Sequence, residues 1–203
     1  MHSYSMPCDV RKNMILLCAA VSALLAWILH LIGFYDLLDY WTEKNQILEA
    51  MNFLSLLPVT LTPFGLFGML YYFIDKHLWK RLKVFVKIPD VTGLYEGTLK
   101  SSFDAEIDYS MKMTVVQTFT KISFRCEFEG SDSESTMASY LSENGNKIKF
   151  CFAYTNFADN FEWIAPEHSG MNTVIFDSES KTVKGRYFTN RETKGNFNLK
   201  KVD

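Results

Sequence analysis

The sequence predicts two membrane-spanning α-helices followed by an all-β, mainly antiparallel barrel of about eight strands. Two observations carry this. Residues 14–34 and 53–74 are apolar runs without Asp, Glu, Lys or Arg. After Pro89 the pattern changes to short stretches of alternating apolar and polar residues separated by turn-forming residues.

Each apolar run has roughly the 20 residues that a helix needs to cross about 30 Å of hydrocarbon. The rest of the chain is too small to wrap two helices that are apolar on every side. Arg11 and Lys12 precede the first run, as in a secretory signal, but Tyr35, Leu37 and Leu38 follow it instead of a small-residue cleavage site. The first run is therefore read as retained. Cations crowd the outer flanks, with Lys76, Lys80, Arg81, Lys83 and Lys87 after the second run, whereas the loop between the runs holds only Lys44. The positive-inside rule then puts both termini and the β region in the cytoplasm of a multi-pass protein of the cell membrane. Pro58 and Pro63 interrupt the second run and suggest a kink, while Ser55, Gly65 and Gly68 would let helices approach closely. Residues 1–87 thus read as a two-helix transmembrane region with short basic cytosolic flanks. Residues 88–203 read as a cytosolic ligand-binding barrel, because Pro89 disfavours helix at Ile88.

Strands are expected at residues 91–100, 106–119, 121–129, 135–142, 147–155, 171–176, 182–189 and 195–201. Asn144 and Gly145 suggest a two-residue type I′ hairpin turn. Ile148, Phe150, Phe152 and Tyr154 share one face of the fifth strand, opposite Lys149, Cys151, Ala153 and Thr155. One face is apolar and the other mostly wet, which suits a sheet closed on itself, with a two-sheet sandwich as the alternative. A barrel of this size is either filled by side chains or holds one small ligand.

The four cysteines form no paired motif, and Cys126 and Cys151 alternate onto opposite faces, so neither a disulfide framework nor a zinc site is expected. No catalytic constellation stands out. His168 is the only histidine after the boundary, and no nucleophile elbow or phosphate-binding glycine loop is present. The acids Asp104, Glu106 and Asp108 read as a solvated strand start. The chain is not expected to be an enzyme or to need a cofactor or metal.

Candidate ligand contacts cluster at strand ends. Gly93, Tyr95 and Gly97 form a glycine–aromatic pattern that resembles the opening strand of lipocalin-like barrels. The glycines permit a sharp bend, and Tyr95 either plugs one end or touches ligand. In the seventh strand Val183, Gly185, Tyr187 and Thr189 share a face, which makes Tyr187 and Thr189 the inward candidates next to Asn190. Arg191 follows at the turn and either pairs with a phosphate or is an ordinary surface arginine. Tyr154 and Trp163 would offer stacking surfaces to bases. From Ile88 onward there are 13 cations and 17 anions, a balance of −4, which argues against long nucleic acid as a partner. A compact ligand with two phosphates, such as a cyclic dinucleotide, needs only a few local donors.

The two apolar runs, the basic juncture, the stretch Pro-Asp-Val-Thr-Gly-Leu-Tyr-Glu-Gly at 89–97 and the closing Gly-Arg-Tyr-Phe-Thr-Asn-Arg at 185–191 together resemble the two-helix, β-rich effectors of CBASS anti-phage defence. The resemblance implies a barrel that binds a cyclic dinucleotide made by a partner nucleotidyltransferase. It further implies homo-oligomeric assembly in the membrane lipid, membrane damage and abortive infection. The alternative is a membrane-tethered, lipocalin-like lipid carrier or a scaffold.

Overall fold

The computed structural model describes residues 1–37, 40, 62–82, 88–104, 106–158 and 168–202. The chain divides into two compact units, Cys8–Lys87 and a second that joins Met1–Pro7 to Ile88–Asp203.

In the first unit, helix α1 spans Cys8–Leu31. It is the one helix among the described residues that is long and apolar enough to cross a membrane. Helix α2 spans Pro63–Phe73 and continues into a single π turn, Ile74–Leu78. The proline expected to interrupt the second run instead begins this helix. Pro63 needs no backbone donor in a first turn, and the Gly65 N–H donates to the Thr62 hydroxyl at 3.3 Å. Most of the residues before it in the second run, Ser55 and Pro58 among them, lie outside the described residues.

The second unit is a closed, mainly antiparallel ring of nine strands where eight were expected. They are β1 (His2–Ser5), β2 (Gly93–Ser101), β3 (Asp108–Gln117), β4 (Lys121–Phe128), β5 (Ser131–Asn144), β6 (Lys147–Ala158), β7 (His168–Asp177), β8 (Thr182–Thr189) and β9 (Lys194–Val202). From β2 to β9 the connections are antiparallel hairpins, and β2 pairs with β9 to join the two ends. The β5–β6 turn differs by one residue from the expected one. Asn144 pairs with Lys147, so Gly145 and Asn146 are central, and only Gly145 has positive φ, at 59°. Positive φ at the first central position alone marks a type II′ turn and not I′.

The additional strand is β1, and it fills a split. β4 and β5 pair only over Arg125–Phe128 and Ser131–Glu134. Beyond that point the Phe124 N–H donates to the Ser135 hydroxyl at 2.9 Å, and β5 bulges between Ser135 and Met137. β1 lies in the wedge, antiparallel to β4 and parallel to β5. Tyr4 is 2% exposed, its ring lies 6.3 Å from that of Phe150, and its hydroxyl accepts from the Gln117 amide at 3.3 Å. His2 Nε2 is 2.8 Å from the Ser135 hydroxyl. Removing Met1–Pro7 therefore uncovers one side of β4 and β5 and strips a fully buried aromatic. It is expected to cost about 2–4 kcal/mol, from the burial of one large side chain and the lost strand pairing, read as a lower urea midpoint of the ring. An unchanged midpoint would show β1 to be peripheral.

Inward positions divide the ring's interior in two. At the β1 end it is filled by apolar side chains, with Ile122, Phe124, Phe150, Phe152, Val174, Phe176, Val183 and Leu199 all buried. Phe124 and Phe152 stack at 4.2 Å, and Phe150 meets Phe176 edge-on at 6.0 Å. At the other end the interior is mixed, with Ser133, Asn156, Asn172 and Thr189 on β5 to β8 set among Leu99, Met111 and Phe197. The switch from aromatic to polar along one face leaves that end able to hold a ligand.

Candidate functional site

A cavity of about 720 Å³ opens at the polar end. This lies within the roughly 300–1,000 Å³ common for small-molecule sites. Its walls come from the ends of several strands and the turns that join them. Ser101 and Tyr109 stand at the β2–β3 connection, Phe128 and Ser131 at the β4–β5 turn, and Thr189, Arg191 and Thr193 at the β8–β9 turn.

The structure gathers four of the seven sequence-derived candidates here: Tyr154, Tyr187, Thr189 and Arg191 line the cavity. Asn190 sits in the adjacent turn, where its side chain accepts from the Ser169 N–H at 3.3 Å and its own N–H donates to the Ser169 carbonyl at 3.0 Å. It ties β7 to the turn that carries Arg191. Tyr95 lies apart, lining a separate hollow of about 210 Å³ at the opposite end. There it is 4% exposed and donates to the Val91 carbonyl at 2.9 Å, the plugging geometry. Burial, with Asp90 beside it, pushes its hydroxyl up to about 12. Trp163 lies outside the described residues.

Two glycines make the tyrosine positions possible. Tyr154 pairs across the sheet with Gly170, and Tyr187 with Gly195. A Cβ at Gly170 would stand 2.5 Å from the Tyr154 hydroxyl, and one at Gly195 would stand 2.5 Å from the Tyr187 ring. Each ring thus lies over a bare stretch of neighbouring strand, held along the wall instead of projecting across the opening. Burial raises both phenols above their ordinary value, and for Tyr187 a hydrogen bond with Ser101 works the other way. Both are neutral hydroxyls at physiological pH, fit to donate as well as accept.

The β8–β9 turn is braced internally. The Thr189 and Thr193 hydroxyls are 2.6 Å apart, the Arg191 N–H donates to the Thr189 hydroxyl at 3.2 Å, and Glu192 takes positive φ, 63°. The exposed Arg191 therefore stands on a fixed turn at the cavity lip. Arg191 and Glu129 are the charged residues among those described that line the cavity.

Alternation on β6 and β7 also carries polar residues that the sequence reading passed over. Asn156 is in phase with Tyr154 and donates to the Ser133 hydroxyl at 2.8 Å. His168 and Asn172 share a face with Val174 and line the cavity. The readable signal was the period of two, which places every second residue before Val174 on the inner face. His168 has its pKa lowered, first by burial and then by the nearby Arg191. The unfolded chain therefore takes up a proton more readily than the fold does. This histidine's contribution to stability is intact above the unfolded pKa of about 6.5 and is lost as pH falls below it toward the folded value. The urea midpoint should drop between pH 7.5 and 5.5, and His168→Gln should remove part of that drop. An identical drop in both proteins would rule the histidine out.

All four cysteines are free, and burial drives Cys126 up to about 12, so it is an inert wall residue. No group of His, Cys, Asp and Glu suited to a metal ion occurs among the described residues.

The chain is 29% identical over 124 residues to CD-NTase-associated protein 15 of Staphylococcus schleiferi, covering 61% of this chain and 67% of that protein. It is 24% identical over 143 residues to CD-NTase-associated protein 15 of Yersinia aleksiciae, covering 68% and 69%. The family described as Cap15, cyclic dinucleotide receptor domain, matches residues 86–201, from just before the boundary to the end of β9. This match takes in β2 to β9 and every described wall of the cavity, and the chain belongs to the Cap15 cyclic dinucleotide receptor family.

Proposed function

We propose that the protein is a membrane-anchored receptor and effector of CBASS anti-phage defence, whose lipocalin-like barrel seats a cyclic dinucleotide in the cavity between Tyr154, Tyr187 and Arg191. The observation that carries this reading is the polar-ended cavity inside the family-matched region, with two aromatic walls and a guanidinium on a braced turn at its lip. Tyrosine faces suit bases, and a planar guanidinium suits a phosphodiester. The names of the relatives support a nucleotidyltransferase as the source of the ligand. The protein acts without turnover.

Ligand binding drives homo-oligomerisation of the membrane helices, and the packed helices disrupt the bilayer and abort the infection. Each 1.4 kcal/mol of preference for the assembled state changes its population about tenfold, so a few kcal/mol suffice. Gly68 on α2, with nothing among the described residues within 4 Å of where a Cβ would stand, supports a close helix contact. The membership of Met1–Pro7 and Ile88–Asp203 in one compact unit supports an even number of membrane crossings between them, and the flanking cations favour the cytoplasmic side for both termini.

The test is calorimetric titration of the full chain in detergent micelles with a panel of cyclic dinucleotides, linear dinucleotides serving as controls. Submicromolar binding of a cyclic member, with larger assemblies appearing at saturation, is the expected result. Silence across the panel from folded protein would overturn the reading in favour of a lipid carrier or scaffold.

A further inference from the structure

Among the buried polar side chains of the ring, Asn172 is the exception. Gln117, Ser133, Ser135, Asn156 and Thr189 each have a hydrogen-bond partner within the protein. Asn172 is 5% exposed and lines the cavity, and its carboxamide has no partner among the described residues. Its amide atoms are not sealed off like the unpaired Trp79 Nε1, so they stay reachable from the cavity and open to a partner there. The amide is aimed into the cavity at a set depth. Along β7 the inward residues run His168, Gly170, Asn172, Val174 and Phe176, so the amide stands between the polar mouth and the aromatic core. Its cross-strand neighbours are Phe152, which is buried, and Tyr187. Tyr154 flanks β7 on the β6 side over Gly170.

We infer that Asn172 is a base-reading, specificity-determining residue of this site, and that it pairs with a nucleobase edge of the adenine type, an amino donor beside a ring-nitrogen acceptor. The inference rests on the cyclic-dinucleotide reading of the cavity. Chemistry separates the two ends of the ligand. Phosphates belong at the lip, where Arg191 supplies the positive charge and solvent remains close. The deeper wall offers a neutral amide and aromatic rings, which suit a base. An amide presents donor and acceptor side by side, the complement of adenine's amino group and ring nitrogen. The Hoogsteen edge of guanine shows two acceptors, which an amide presenting one donor beside one acceptor does not complement.

The experiment titrates full-length protein in micelles with cyclic di-adenosine monophosphate, its purine-riboside analogue lacking the 6-amino groups, and cyclic di-guanosine monophosphate. The wild type should prefer the adenine ligand over both others by about tenfold or more. Asn172→Leu should weaken the adenine ligand by a similar factor and bind it and the desamino analogue alike. Asn172→Ser, smaller and uncharged, repeats the comparison should the leucine variant misfold, and near-ultraviolet circular dichroism reports folding for each. A wild type that binds cyclic dinucleotides without preferring adenine, or variants that keep the preference, would overturn the role of Asn172 and leave the receptor reading standing. A wild type that binds no cyclic dinucleotide would remove both.

Discussion

Replacing Phe124 with alanine is expected to lower the stability of the β ring by about 3–5 kcal/mol, the range for truncating a buried phenylalanine. The side chain is fully buried and sits where the interior is densest. Its ring stacks on Phe152 at 4.2 Å, meets Phe150 edge-on at 6.0 Å and lies 6.4 Å from Phe176. Removing it leaves a void bounded by three rings that cannot collapse together, because Phe150 and Phe152 are fixed on β6 and Phe176 on β7, each strand paired on both sides. The same residue's N–H is held by Ser135 at the point where β4 and β5 part, so a shift of the strand into the void would also strain that bond. Urea unfolding of the full chain in micelles, followed by proteolysis, measures the loss. Phe103→Ala, at an 82% exposed position, is the control and should fall within about 0.5 kcal/mol of wild type. A loss below about 1 kcal/mol at Phe124 would mean that the aromatic cluster is loosely packed.

Arg191→Gln is expected to weaken cyclic dinucleotide binding by about 10- to 100-fold, the worth of one or two charge-assisted hydrogen bonds to a phosphate. The fold should be unaffected, because the side chain is exposed and the turn is braced through the Thr189 and Thr193 hydroxyls and the backbone. The lost contact is electrostatic, so the salt dependence of binding should flatten as well. Arg191→Lys keeps the charge but not the planar fork, and should fall between the two. Affinity unchanged in Arg191→Gln would remove this residue from the site. Uptake of a neutral lipid, in contrast, should not depend on it.

Alternation made much of the ring readable. Tyr187 and Thr189 fall on the inner face because Val183 and Gly185 do, and Phe150, Phe152 and Tyr154 follow the same rule on β6. The pattern gave the face of a residue but not its depth. Tyr95 and Tyr154 both point inward, yet they stand at opposite ends of the ring, and only the pairing of β2 with β3 and β9 separates them. β1 was illegible for a different reason. His-Ser-Tyr-Ser carries one apolar anchor, Tyr4, and its partners lie far along the chain. Asn172 looked like an ordinary strand residue because nothing local marks an amide that has no partner among the described residues.

The placement of β1 also sets a schedule. His2 and Ser135, which meet across the wedge, are 133 positions apart in the chain. At ribosomal rates of about 5–20 residues per second, the first strand waits on the order of ten seconds before its partners exist. Helix α1 and all of residues 32–87 are made in that interval. Ring closure is therefore a late, long-range event of the kind that folds slowly. In a chain that crosses a membrane between these two points, it succeeds only when the crossings bring both ends back to one side. If residues 8–87 cross the membrane an even number of times, as proposed above, the ring is its own proofreader of topology: a misinserted molecule would lack β1 and leave β4 and β5 partly open to proteolysis.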